Sequence, residues 1–184
     1  HMLEQAKEAV RHPFFQAGLP PVIVALGRLT AAKDYPTLLR AYALVRKERS
    51  SRLMIIGEGE ERSSLERLAR ELGLGKDIDL PGFVENPFAF LSKSAVYVLS
   101  SAWVGLPSTL IEALACGCQV VSTDCPHGPA EILSGGEYGY LVPVGDAVAM
   151  SAAILKVLDG YLCEPVPPAW LEQFKIQNIA HQYL

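Results

Sequence analysis

Three charged side chains stand where anion chemistry would need them. Arg28 and Lys33 sit in the run Gly27-Arg-Leu-Thr-Ala-Ala-Lys33. Arg28 offers a planar fork for two phosphate oxygens, and Lys33 a compact point charge. The third, Glu112, lies in Leu99-Ser-Ser-Ala-Trp-Val-Gly-Leu-Pro-Ser-Thr-Leu-Ile-Glu-Ala-Leu-Ala-Cys-Gly117. That run reads as a strand end, a tight turn at Gly105, and a helix opening at Pro107 and stopping at Gly117. A helix opening off a strand end aims free N–H groups beyond it, which makes an anion site. Glu112 falls inside this otherwise apolar helix. A buried carboxylate needs a polar partner, and a ligand hydroxyl would serve. A lone Arg or Lys is ordinarily a solvated surface charge. Two cations, a glycine turn and a helix end on one crevice fit a diphosphate.

The elements around these residues say whether they share a crevice. Short apolar runs at Val22–Leu26, Leu53–Ile56, Ile78–Leu80, Ala95–Leu99, Gln119–Thr123 and Tyr140–Val142 read as strands. Helical spacing is present over Pro36–Glu48, with Leu38, Leu39, Tyr42 and Val45 on one face, and over Glu60–Leu72, capped by Gly73. Shorter helices are expected at Asn86–Leu91 and Pro129–Leu133, and Asp146 caps one reaching Leu158. Strands alternating with helices, several apolar on both faces, predict an α/β fold: a doubly wound parallel, Rossmann-like sheet with helices on both faces. In that topology the first and fourth strands adjoin where strand order reverses, and ligands bind beyond their carboxyl ends. Gly27-Arg28 and the Ser100-to-Pro107 turn then meet. Glu164-Pro-Val-Pro-Pro168 is read as a stiff spacer, and Trp170–Leu184 as a last helix contacting through Leu171, Phe174, Ile179 and Tyr183. The expected division is 1–19 as tag remnant (His1-Met2) and lead-in, 20–160 as the ligand-binding domain, and 161–184 as spacer and helix.

Other classes are weakened by composition. The 184 residues are half apolar with net charge −4, enough for one domain with a sizeable core. No basic cluster suggests a nucleic-acid partner, and no apolar run approaches a membrane span. Cys116, Cys118, Cys125 and Cys163 lack a zinc-type spacing, and buried reduced thiols are the expectation. Gly57-Glu-Gly-Glu60 lacks a Gly-Lys-Ser/Thr ending, and Glu58 would repel phosphate, so a turn feeding an acidic helix start is expected. Pro81-Gly-Phe-Val84 is either a plain turn with a core Phe or an open backbone that reads a base edge. His127 follows a strand without a Ser-His-Asp set around it.

Taken in order, these pieces resemble the C-terminal, nucleotide-sugar-binding domain of retaining glycosyltransferases of the GT-B architecture, the glycosyl transferases group 1 class. Carrying the resemblance are Gly27-Arg-Leu with Lys33-Asp34, Gly57-Glu-Gly59, Leu80-Pro-Gly-Phe83, Gly105-Leu-Pro-Ser-Thr-Leu-Ile-Glu112 through Gly117, and Asp124-Cys-Pro-His-Gly-Pro-Ala-Glu-Ile132. It spans about residues 20–160. It implies catalytic roles for Arg28, Lys33 and Glu112, with the two cations on the diphosphate and Glu112 accepting from ribose hydroxyls. The backbone near Phe83 would read the base. Gly27, Val104, Gly105, Leu106 and Pro107 would line the sugar and phosphate, and Ser108, Thr109 and Leu110 the diphosphate and ribose. The implied reaction moves a hexosyl group from a UDP-sugar to a glycan or lipid-linked acceptor in bacterial glycan biosynthesis. No cofactor or metal is implied. The acceptor would be held by an N-terminal domain that this stretch is expected to lack, leaving it able to bind donor but not to turn over. The full-length protein is expected to be cytoplasmic, with peripheral contact to the membrane's cytoplasmic face. Two departures stand out. The family usually carries a second Glu at the place of Val104, and an Arg at Ala130. Val104 keeps a non-catalytic nucleotide-sugar-binding or scaffold module open beside the enzyme, with a GT-B epimerase of nucleotide sugars as a third reading.

Overall fold

The computed structural model describes residues 2–174. In chain order the elements are α1 (Met2–Gln5), β1 (Val22–Leu26), α2 (Tyr35–Glu48), β2 (Arg52–Ile56), α3 (Arg62–Glu71), β3 (Ile78–Gly82), α4 (Pro87–Lys93), β4 (Val96–Leu99), α5 (Ser108–Ala115), β5 (Val120–Thr123), α6 (Pro129–Ile132), β6 (Tyr140–Val142), α7 (Ala147–Leu158) and α8 (Pro168–Glu172). The six strands form one sheet in the order β3-β2-β1-β4-β5-β6. Every neighbouring pair is parallel. This is the doubly wound arrangement expected, with strand order reversing between β1 and β4.

Alternation along the strands divides the core in two. Ile23 and Ala25 of β1 face a cluster built from α2, α3 and α7, including Leu38, Leu65 and Ile154. Val22 and Val24 face a second cluster with Leu91, Leu110, Leu114 and Ile132. All of these but Val22 and Leu114 are almost wholly excluded from water, and those two are still buried. Each Leu or Ile so buried contributes roughly 1.5–3 kcal/mol, which is why strands apolar on both faces settle inside.

The local departures have physical causes. β3 runs on through Pro81-Gly82, because an edge strand tolerates a missing N–H. α5 starts at Ser108, not at Pro107. Pro107 has φ −80° and ψ 68°, and Ser108 N–H donates to Leu106 O at 2.9 Å, an inverse γ-turn. Asp146 caps α7 by accepting from Ala149 N–H at 2.8 Å, as expected. The last helix begins inside the proline stretch, at Pro168, where the lost N–H is harmless. Trp170 Nε1–H donates to Ile132 O at 2.9 Å, so α8 docks on the α5–α6 side of this same domain. The remainder of that expected helix, with Ile179 and Tyr183, lies outside the described residues. Residues preceding β1 are docked as well. Asn86 Nδ2 donates to Gln5 O at 2.9 Å, Ser92 Oγ to Ala6 O at 2.6 Å, and His12 Nε2 sits 2.8 Å from Asp79 Oδ2.

Candidate functional site

At the carboxyl ends of the strands, the loops are laced to one another. The β1 loop is anchored first. Gly27 N–H donates to Ile56 O at 3.0 Å and Leu29 N–H to Glu58 O at 2.9 Å. Gly57 N–H in turn donates to Gly82 O at 2.9 Å. Across the reversal point, Ser100 Oγ donates to Lys33 O at 2.6 Å and Ala102 N–H to Ala32 O at 2.9 Å. Thr123 Oγ1 at the end of β5 donates to Ser101 O at 2.7 Å. The β1 and β4 loops, distant in sequence, are therefore tied directly.

A cavity of about 390 Å³ opens at this rim, lined by Gly27, Arg28, Gly57, Glu58, Phe83 and Val84 among others. Arg28 is exposed there. Phe83 is 83% exposed. A free benzyl group at the mouth of a cavity that also holds a guanidinium is a platform for a flat ring. This settles the two sequence readings of Phe83 against a core role. Glu58 does face the cavity, but Arg62 holds it through two hydrogen bonds of 2.8 and 2.9 Å and keeps its carboxyl below the usual range.

Lys33 lies folded over Gly27. A side chain on Gly27 would place Cβ 3.0 Å from Lys33 Cε and 3.4 Å from Nζ, so the absent side chain makes room for the ammonium. Burial lowers the Lys33 pKa, partly offset by the Cys125 thiol. Asp34, which follows, is left-handed at φ 45° and caps α2 through Thr37 N–H. A strained non-glycine residue beside Lys33 is held in place by its surroundings.

The other half of the site is the turn into α5. Gly105, Leu106 and Ser108 are exposed, Pro107 is buried, and Val104 and Thr109 are intermediate. Gly128 after β5 abuts the turn, since a Cβ there would fall 2.8 Å from Pro107 Cδ. Fewer backbone donors are free than expected at this helix end. Ser108 N–H and Leu110 N–H are taken by Leu106 O and Pro107 O. The Leu110 side chain has no exposure, and its N–H donates to Pro107 O at 3.0 Å. Thr109 is held by its hydroxyl, 2.7 Å from Tyr97 Oη.

Glu112 is half-buried and its carboxyl pKa is raised by that burial. The native state thus disfavours the ionised form more than the unfolded chain does. Stability from this site is present below the unfolded carboxyl pKa and is lost as pH rises through the higher folded one. Glu112→Gln is expected to melt above the wild type at pH 7, with the gap closing toward about pH 4. Equal melting temperatures across the range would show that Glu112 ionises freely. A group that costs stability when empty is one that a hydroxyl-bearing ligand can repay.

The sequence reading missed Ser100, Ser101 and Thr123, whose polarity at the ends of apolar strands was the available signal. It also missed Tyr35, which looks like an ordinary core residue of α2. His127 is exposed and left-handed at φ 65°. Among the described residues no group of three or more His, Cys, Asp or Glu side chains could hold a metal ion.

The model of the family described as glycosyl transferases group 1 matches residues 20–160. The chain belongs to this family. An uncharacterized glycosyltransferase of Methanocaldococcus jannaschii is 43% identical over 113 residues, covering 61% of this chain and 28% of its own length. The N-acetylgalactosamine-N,N'-diacetylbacillosaminyl-diphospho-undecaprenol 4-alpha-N-acetylgalactosaminyltransferase of Campylobacter jejuni is 36% identical, covering 74% of this chain and 37% of its own. Among solved structures, the pneumococcal O-GlcNAc transferase GtfA in complex with UDP and GlcNAc superposes with TM-score 0.76 at 25% identity, covering 89% of this chain and 34% of that one. The Anabaena protein HepE, with UDP and glucose, shares the fold at TM-score 0.72 and 20% identity, covering 77% and 39%. The chain thus has the GT-B type of Rossmann-like sheet, and it spans well under half the length of these relatives. None of its described helices is long and apolar enough to cross a membrane.

Proposed function

We propose that this glycosyltransferase chain carries the nucleotide-sugar donor site of a retaining enzyme that passes a hexosyl group to a glycan or lipid-linked acceptor. The observation that carries the reading is the convergence of Arg28 and Phe83 on one cavity, with Lys33 folded beside it at the strand reversal. A nucleoside diphosphate matches that set part by part. The base stacks on Phe83, ribose hydroxyls donate to the Glu112 carboxylate, and the diphosphate lies between Arg28 and Lys33. Charge builds on the diphosphate as the glycosidic bond breaks, and fixed cations stabilise it at that moment. Two cations suffice for that task without a metal. UDP is the proposed nucleotide, in keeping with the UDP complexes of GtfA and HepE.

The acceptor side is proposed to lie in the part of the relatives' length that these residues do not span, so this stretch alone binds donor weakly and does not turn over. The lipid-linked substrate named for the Campylobacter relative supports work at a membrane surface, which we propose to be the cytoplasmic face. Val104 supports a second reading, a binding module without catalysis. A valine cannot hydrogen-bond a sugar hydroxyl or stabilise positive charge at the anomeric carbon. Val104→Glu in the full-length protein separates the two: a gain in transfer favours lost catalysis in the natural chain.

Calorimetry with UDP, GDP and ADP tests the donor site, and binding of none of them overturns it. Phe83→Ala is expected to leave the melting temperature unchanged, since the ring is exposed. It should weaken UDP binding by about 5- to 150-fold, the usual loss on removing a stacking partner for one base.

A further inference from the structure

Tyr35 is the first residue of α2 and two residues past Lys33. Its ring is packed in the core at 2% exposure. Its hydroxyl is buried and has no hydrogen-bond partner. Buried hydroxyls are nearly always paired, because an unpaired one forfeits its hydration with nothing in return. The same hydroxyl lies 3.2 Å from the point where a Cβ on Gly27 would be, and Lys33 Nζ lies 3.4 Å from that point. Tyrosine hydroxyl and lysine ammonium thus flank one small space that exists only because residue 27 has no side chain. Contact between them would take a turn about the last lysine torsions. The Lys33 main chain is already fixed from outside by Ser100 Oγ, so the ammonium alone is left to be placed.

We propose that Tyr35 is a positioning residue for Lys33: in the nucleotide-bound state its hydroxyl oxygen accepts a hydrogen bond from the Lys33 ammonium. This rests on the reading of Lys33 as a diphosphate ligand. An ammonium has three N–H donors. With one held by Tyr35, the others point out of the core toward the phosphate oxygens. The hydroxyl is left orphaned in the free protein and is satisfied when ligand draws Lys33 into place, so part of its burial cost returns as affinity. Cys125, two residues past β5, is the titratable group whose charge acts on Lys33, and Tyr97 of β4 is the one that acts on Tyr35.

Tyr35→Phe keeps the ring and removes only the oxygen, and UDP calorimetry beside thermal melting reads the result. The free variant is expected to melt at or above the wild type, because an unpaired buried hydroxyl has gone. UDP affinity is expected to fall about tenfold, in line with a hydrogen bond to a charged group. Losing an acceptor also destabilises the ammonium, so the alkaline limit of UDP binding should move to lower pH in the variant. A purely structural tyrosine would lower stability and leave that limit unmoved. Lys33→Ala in the same series tells the two ideas apart. If Lys33→Ala binds UDP as the wild type does, the diphosphate reading falls. If it loses binding while Tyr35→Phe keeps both affinity and pH limit, the positioning role of Tyr35 is overturned.

Discussion

Gly57→Ala is expected to unfold the domain or cost it more than about 3 kcal/mol, a large share of the roughly 5–15 kcal/mol that a domain has. A Cβ at residue 57 would fall 2.0 Å from Gly27 O, a backbone atom with nowhere to go. Its φ of +144° also lies where L side chains are strained. Gly73 is the control. It is left-handed at φ +68° but has nothing within 4 Å of its Cβ position. Gly73→Ala should therefore cost only the backbone term, about 1–2 kcal/mol. Denaturant unfolding of both variants measures the difference. Equal losses would mean that the β1 and β2 loops are not in contact in solution. The sequence reading took Gly57-Glu-Gly-Glu60 as a turn feeding a helix. Its tighter function is to let two strand ends touch, so that Arg28 leaves the sheet beside Phe83.

The largest effect on binding is expected from Arg28→Ala with Lys33→Ala. Hydrogen bonds from charged groups contribute roughly 1.5–3 kcal/mol each, so losing both should weaken UDP binding at least about 100-fold. On the proposed reading the two neighbour one ligand group, and the double loss should differ from the sum of the single ones. The binding that remains should also depend less steeply on salt, since two cations have been removed. Neither side chain belongs to the core clusters, so the variant should melt near the wild type. A double variant that binds UDP within threefold of the wild type would show that the diphosphate lies elsewhere.

The sheet was legible because its strands leave no choice. Val22–Leu26 is apolar on both faces and can only be interior. Parallel neighbours with right-handed connections then place Gly27 beside Ser100. The charged half of the site followed from that topology. What stayed hidden depends on atoms rather than pattern. Nothing in a helical run marks the one hydroxyl, on Tyr35, that ends without a partner. Nothing in Gly-Leu-Pro-Ser marks the γ-turn that moves the helix start one residue on and leaves Leu110 inside. Docking of the residues before β1 was equally invisible, because it rests on main-chain carbonyls of Gln5 and Ala6, which any sequence possesses.

The ties from Ser100 to Lys33, Ala102 to Ala32 and Thr123 to Ser101 carry one more consequence. They join β1, β4 and β5 at the rim into a single brace, so a ligand meets a cradle that is already assembled. Little conformational freedom remains to be surrendered on binding, apart from the lysine arm itself. Such a cradle selects by shape and has little capacity to mould itself to a misfit. On the proposed reading, a donor whose phosphates sit out of line would find no loop that gives way to accommodate it. Changes in donor preference would then have to come from side chains around the turn, with the frame beneath them left as it is.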